Sequence, residues 1–348
     1  MTDPNTPSLI LSSSPHIRSG KSIESAMYHV LIALLPALAG AVVFFGLDAL
    51  RVAFWAVGGC LAFEAMCLRM AGKPRVLRTL ADGSAILTGV LLAMNLPSSA
   101  PWWLVLAGAF VAMVVAKHVF GGLGANPLNP ALVARIFLLI AWPARMTHWP
   151  APRFFPATAL MNADGVTAAT PLGILAAAET PAAGVKALEA QFAIRDLFLG
   201  NIGGSLGETS ALLLLIGGLF LIGRRIIRWE IPVAYVGTMA LLSTIAWAIE
   251  PEAAPDPAFH LFAGGLFLGA FFMATDYVTS PMSPPGMLVF GVGCGILTFL
   301  IRFFGGYPEG VSFAIVIMNS LVALIDRYVV PRREGLRAKA APQAPAEG

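Results

Sequence analysis

Two short stretches carry residue types and spacings suited to chemistry. The first is Asp164-Gly165-Val166-Thr167-Ala168-Ala169-Thr170-Pro171-Leu172, with two threonines three apart. A threonine hydroxyl is a poor nucleophile unaided, and no His or Cys stands beside it to make a hydrolase. The small residues before Thr170 leave its hydroxyl accessible, and Pro171 fixes the backbone just after it. That pattern suits the substrate of a modifying enzyme better than a catalyst. It suits an Asx or ST turn that caps a short helix about as well. The second stretch is Gly121-Gly122-Leu123-Gly124-Ala125-Asn126-Pro127-Leu128-Asn129-Pro130. Its glycines permit a tight turn and the close approach of a flat ligand. Its two Asn-Pro pairs interrupt a helix. Asn126 and Asn129 each offer a donor and an acceptor, as the pyrimidine edge of a flavin would require. A plain turn between two helices needs the same residues and no ligand.

Ionisable groups interrupt otherwise apolar runs: Glu64, Asp82, Lys117, His118, Arg135, Glu208, Asp276, Arg302 and Asp326. In a membrane such groups must face protein or water, and they mark either an ion or proton path or the ends of spans. The three cysteines, Cys60, Cys67 and Cys294, form no CxxC and sit in apolar runs, as small packing residues do. Cys60 and Cys67, seven apart, share one face of a helix. No metal framework is visible within the chain.

The elements that position these residues are membrane helices. The chain is 57% hydrophobic and 12% charged, about half the charged share of a soluble protein. A crossing needs about 20 apolar residues, which predicts about ten transmembrane helices. These fall near 26–46, 50–71, 81–97, 101–120, 128–146, 208–224, 231–249, 259–276, 285–304 and 311–329. The third and eighth are short or glycine-interrupted and are expected to be broken or re-entrant. The first 25 residues lack the apolar run of a signal peptide, so the first span directs insertion.

Lys and Arg cluster before the first span, after the second and sixth, and in the tail, which places both termini in the cytoplasm. Residues 147–207 then form one long extracytoplasmic region. The net charge of +3 leaves no footprint for nucleic acid. The chain also repeats itself. Gly89 aligns with Gly269, and Gly121-Gly122 with Gly305-Gly306, at similar spacing. Five spans per half, an odd number, make the halves inverted repeats. The expected organisation is an all-α integral membrane protein. It has a cytoplasmic arm (1–25), a five-helix repeat (26–146), the outer segment (147–207), a second inverted five-helix repeat (208–329) and a cytoplasmic tail (330–348).

The stretch "DGVTAATPL" resembles the flavin-attachment motif of the RnfD/NqrB family of membrane redox proteins. "SPHIRSGKS", "DGSAILTGVLLAMNLP", "FGGLGANPLNPA", "GETSALLLLIGGLFLI", "GAFFMATDYVTSP" and "FFGGYPEGVSFA" look like family blocks across nearly the whole chain. Ala168 stands where a glycine is frequent. The short N-terminal arm is closer to the Rnf branch than to the Nqr branch. The resemblance implies FMN joined through its phosphate to Thr170 by a flavin transferase, with Asp164, Gly165 and Thr167 shaping the recognised turn. Arg153, Lys186 and Arg195 are then candidates to pair with the phosphodiester. The resemblance also implies a second, non-covalent flavin, with riboflavin as the candidate, beside Asn126 and Asn129. The implied activity is electron relay coupled to Na⁺ or H⁺ movement in a bacterial inner-membrane ferredoxin:NAD oxidoreductase of the Rnf type, with the A, B, C, E and G subunits as partners. NADH and ferredoxin belong to those partners, since this chain has no G-x-G-x-x-G fingerprint. An Nqr-type protein working toward quinone is the nearest alternative. A solute channel of urea-transporter plan is the alternative without a flavin.

Overall fold

The computed structural model describes residues 22–74, 76–152, 169–208, 210–305 and 309–329. Asp164, Gly165, Thr167 and Arg153 lie outside the described residues, as do most of the expected N-terminal arm and the whole tail. Helices α1 (Ile23–Phe45) and α2 (Leu47–Met70) form a hairpin turned at Gly46. A short α3 (Val76–Leu80) leads to α4 (Ser84–Met94). Then α5 (Trp102–Phe110) runs directly into a π-helical segment, Val111–His118. The first half closes with α6 (Pro130–Ala141) and the single turn α7 (Pro143–Met146). Three small helices follow: α8 (Pro171–Ala177), α9 (Pro181–Gln191) and α10 (Ile194–Leu199). The second half contains α11 (Ala211–Gly223), α12 (Glu230–Ile249), α13 (Pro257–Phe262) and α14 (Leu266–Leu268), the last continuing as π segment Gly269–Met273. It ends with α15 (Pro284–Phe304) and α16 (Val311–Tyr328). No strand element occurs among the described residues.

The helix starts are written locally. Ser22, Asn129, Thr170, Thr180, Ser210, Asp256 and Ser283 each cap a helix by accepting a backbone N–H, which satisfies one of the four orphan donors there. In α6, α8, α9, α13 and α15 a proline follows the cap, where its missing N–H costs nothing.

Among the described residues five helices, α1, α2, α12, α15 and α16, are long and apolar enough to cross a membrane. Ser84–Met94, Trp102–His118, Pro130–Ala141 and Ala211–Gly223 are apolar but shorter. At about 1.5 Å per residue, the 11 residues of α4 extend roughly 16 Å, half a bilayer core. The stretch 259–276 breaks between Phe262 and Leu266, around Gly264 at φ +71°. Such interruptions are tolerated in a membrane only where other helices enclose them. That enclosure is visible in the packing. α4 lies against α2, where a Cβ on Gly89 would stand 2.6 Å from Val57 Cα. α12 and α15 pack closely at Gly291, whose Cβ would fall 2.8 Å from the Ile231 carbonyl oxygen. The two halves meet through α1 with α11 and through α6 with α16. One apolar core runs through both. A second, smaller cluster joins Leu172, Leu188 and Leu197 to Phe259 and Ala263, so α8–α10 are seated on α13.

Candidate functional site

Helix α6 walls two cavities, one toward each of its ends. Asn129, Pro130 and Ala131 at its start line a cavity of about 80 Å³, the inner one if the termini are cytoplasmic as charge predicts. Arg135, Ile136 and Leu139, further along, line a chamber of about 230 Å³, the outer one on the same orientation. Ala131 and Arg135 are one turn apart, roughly 6 Å along the axis.

Thr170 stands at the outer chamber. It is half-buried and caps α8, its Oγ1 accepting the Gly173 N–H at 3.0 Å. The capping turn considered for this motif is therefore present, and it holds the hydroxyl in one place. Leu172 anchors the helix to the small apolar cluster, while Trp149 and Leu139 add apolar wall. At the chamber's deep end, Arg135 donates to Glu208 Oε1 at 3.1 Å, to Asn95 Oδ1 at 2.5 Å, and to Glu309 Oε2. Glu309 also accepts the Gly265 N–H at 2.8 Å. This cluster draws one residue from α6 and two from the segments preceding α11 and α16, tying both halves together. Arg135 and Glu208 were singled out in sequence; Glu309 was not. Its signal is its place between the second glycine pair and the last apolar run, in the same "GGYPEG" block as the repeat. Lys186 is exposed on α9, and Arg195 is 82% exposed beside Asp196. Neither lines the chamber, and Arg135 is the only cation among its described lining residues.

The inner cavity gathers Asn126, Asn129, Lys117, Ser84, Thr275 and Asp276. Gly121, Gly122 and Gly124 adopt φ of +116°, +98° and +89°, the left-handed turn that requires glycine. The two asparagines differ. Asn129 uses its Oδ1 on the Ala131 and Leu132 N–H groups and its amide on the Met273 carbonyl. Asn126 donates to the Leu128 carbonyl at 3.1 Å, which leaves its side-chain oxygen unpartnered among the described residues. Asn129 shapes the wall; Asn126 retains capacity to recognise a ligand. Both π segments end here, with i→i−5 bonds from Val119 to Val114 and from Ala274 to Gly269. Such segments recur at functional sites. Lys117, at the end of the first, is buried and donates to Glu64 Oε1 at 2.8 Å and to Ser84 Oγ at 2.9 Å.

Cys60, Cys67 and Cys294 are all free thiols. Among the described residues no group of three His, Cys, Asp or Glu side chains could hold a metal ion.

A helical, multi-pass membrane protein that encloses mainly apolar cavities, each with a few polar groups, at both ends of one short helix is the class this architecture defines. The chain belongs to the NQR2, RnfD, RnfE family, whose model matches residues 10–335. It is 45% identical to the D subunit of the Na(+)-translocating ferredoxin:NAD(+) oxidoreductase complex of Acetobacterium woodii, over 95% of this chain and 97% of that one. It is 44% identical to the D subunit of the ion-translocating oxidoreductase complex of Stutzerimonas stutzeri, covering 92% and 94%. It is 42% identical to the D subunit of the proton-translocating ferredoxin:NAD(+) oxidoreductase complex of Clostridium ljungdahlii, covering 94% and 96%.

Proposed function

We propose that this chain is the membrane-embedded D subunit of an Rnf-type ion-translocating ferredoxin:NAD oxidoreductase, and that Thr170 carries FMN through a phosphodiester. The relatives support the complex. The position of Thr170, a fixed hydroxyl at the edge of a chamber walled by Trp149, Leu139 and Leu172, carries the flavin assignment. FMN when bound supplies electron-transfer chemistry. Thr170 anchors it: an ester at Oγ1 keeps a lone pair for the Gly173 N–H, so attachment and capping coexist. Glu208 and Glu309 already occupy Arg135 at the deep end. The ester keeps the phosphate at the Thr170 side, while Trp149 and Leu139 give a flat ring its apolar wall. Riboflavin is assigned beside the inner cavity on chemistry, with Asn126 addressing its pyrimidine edge.

The chain spans a bacterial inner membrane about ten times as two inverted five-helix repeats, with the termini inside and residues 147–207 outside. The pairings of α1 with α11 and α6 with α16, each joining a helix to its counterpart in the other half, support that symmetry. The A, B, C, E and G subunits complete the complex, and a flavin transferase loads Thr170. The test is in-gel flavin fluorescence of the denatured chain, coexpressed with its transferase. Thr170→Ala should lose the fluorescence and Thr167→Ala should keep at least part of it, with the adduct mapped to Thr170 by peptide mass. Full fluorescence in Thr170→Ala would refute the assignment.

A further inference from the structure

Helix α11 ends on a turn that ordinarily takes glycine. The Ile226 N–H bonds back to the Leu221 carbonyl, and the Arg225 N–H to the Ile222 carbonyl, both at 2.9 Å. These are the paired bonds of a Schellman motif, whose left-handed position is usually glycine. Here that position is Arg225, at φ +54° the only non-glycine with positive φ among the described residues. A side chain there is strained where glycine is not. Tyr277 Oη donates to the Ile226 carbonyl and pins the turn from the other half of the bundle. A strained residue held this firmly is a candidate for function.

Two cavities adjoin the turn. Ser22, Ser25 and His29 of α1, with Arg224 and Arg225, line one of about 540 Å³. Arg225, Arg228, Met282 and Met287 line the other, of about 380 Å³. Ile226 and Tyr277 wall both, and no acid lines either among the described residues. Arg224 donates to His29 Nε2 at 3.3 Å. Neither Arg224 nor Arg225 has an acid partner among the described residues. The two ends of the chain are themselves basic: Arg18 and Lys21 stand against Asp3, and Arg332, Arg333, Arg337 and Lys339 against Glu334 and Glu347. Charge therefore selects an anion from outside the chain. Ile23, Trp229, Tyr277 and Met282 are exposed around the arginines, the mixture of apolar and cationic groups that sits at headgroup level.

We propose that this turn binds an acidic phospholipid, its phosphodiester seated between Arg224 and Arg225. Guanidinium groups match phosphate oxygens in charge and in fork geometry. The acyl chains leave over Phe220, which stacks on His29 and is itself exposed. On the proposed orientation the lipid belongs to the inner leaflet.

The experiment uses the full chain in detergent and native mass spectrometry, with dioleoyl phosphatidylglycerol or dioleoyl phosphatidylcholine as the probe. Two arginines on one phosphate predict that phosphatidylglycerol binds about tenfold more tightly. Arg225→Gly is the telling variant. It relieves the left-handed strain, so it should melt no lower than the parent, and it deletes the guanidinium, so most of the preference should vanish. Arg224→Gln should lose part of the preference. Arg78→Gln, which removes an exposed cation on α3, should lose none. An undiminished preference in Arg225→Gly, or an equal loss in Arg78→Gln, would overturn the proposal in favour of diffuse surface charge. Displacement of the lipid by inorganic phosphate would make this a site for a soluble anion and overturn the lipid assignment. In the assembled complex, phosphatidylglycerol should copurify with the parent and be depleted in Arg225→Gly. Equal lipid in both would mean that a partner segment covers the turn, and would overturn the proposal as well.

Discussion

Thr170 serves local structure and the proposed attachment through one oxygen, and the two roles separate by substitution. Because Oγ1 caps α8, Thr170→Ala should cost about 1 kcal/mol of local stability, a loss Thr170→Ser should not share. Serine keeps the cap and a hydroxyl, so thermal melting of Thr170→Ser should match the parent while Thr170→Ala melts slightly lower. Arg135 is a sharper case. It satisfies two carboxylates and Asn95 from a position 6% exposed. Replacing it with leucine strands both carboxylates, and loss of one partner from a buried ion pair typically costs about 3–5 kcal/mol. The Arg135→Leu chain should fall in detergent melting temperature far below Thr170→Ala. A variant that melts with the parent would contradict the cluster as drawn.

At the scale of elements, the closeness of helix pairs depends on residues without side chains. Gly89→Val forces α4 away from α2, because even a Cβ would lie 2.6 Å from Val57 Cα. Overpacking of that kind costs about 1–3 kcal/mol, and α4 carries Ser84, the partner of Lys117. Lower thermal stability and a weakened hold on riboflavin should therefore appear together. The asparagines at the start of α6 predict a divided outcome. Asn129→Leu removes the α6 cap and the bond to Met273, so it should lower stability by about 1 kcal/mol or more. Asn126→Leu removes one local bond, so its larger effect should be on bound riboflavin, measured by flavin extraction from the native chain. If Asn126→Leu retains riboflavin and Asn129→Leu alone loses it, the division of roles between them is reversed.

For the whole molecule the proposed orientation rests on the distribution of Lys and Arg. With Cys60, Cys67 and Cys294 replaced, Ala182→Cys should be labelled in intact cells by an impermeant thiol reagent, and Ala340→Cys only after permeabilisation. Labelling at 340 and not at 182 would reverse the topology. On the proposed orientation Thr170 and its chamber would face outward and the Lys117–Glu64 pair inward, with α6 between them.

Composition and patterning were enough for the class: apolar runs of membrane length, caps and prolines at helix starts, and a motif around Thr170 specific enough to suggest its family. They were also enough to expect interruptions near 81–97 and 259–276, because a short or glycine-broken run is a local property of the chain. The partners of buried charges were beyond that reach. Glu64 and Lys117 are 53 residues apart, and Arg135 and Glu309 174. Nothing in the spacing of either pair selects one acid over another. Glu309, between Pro308 and Gly310 ahead of an apolar run, looks in sequence like any interfacial residue. Its role arises only when α16 packs against α6 and brings it over Arg135. Asn126 and Asn129 look equivalent in sequence. They part because one starts a helix whose first N–H groups need an acceptor, and the other faces a space that the second half of the chain encloses.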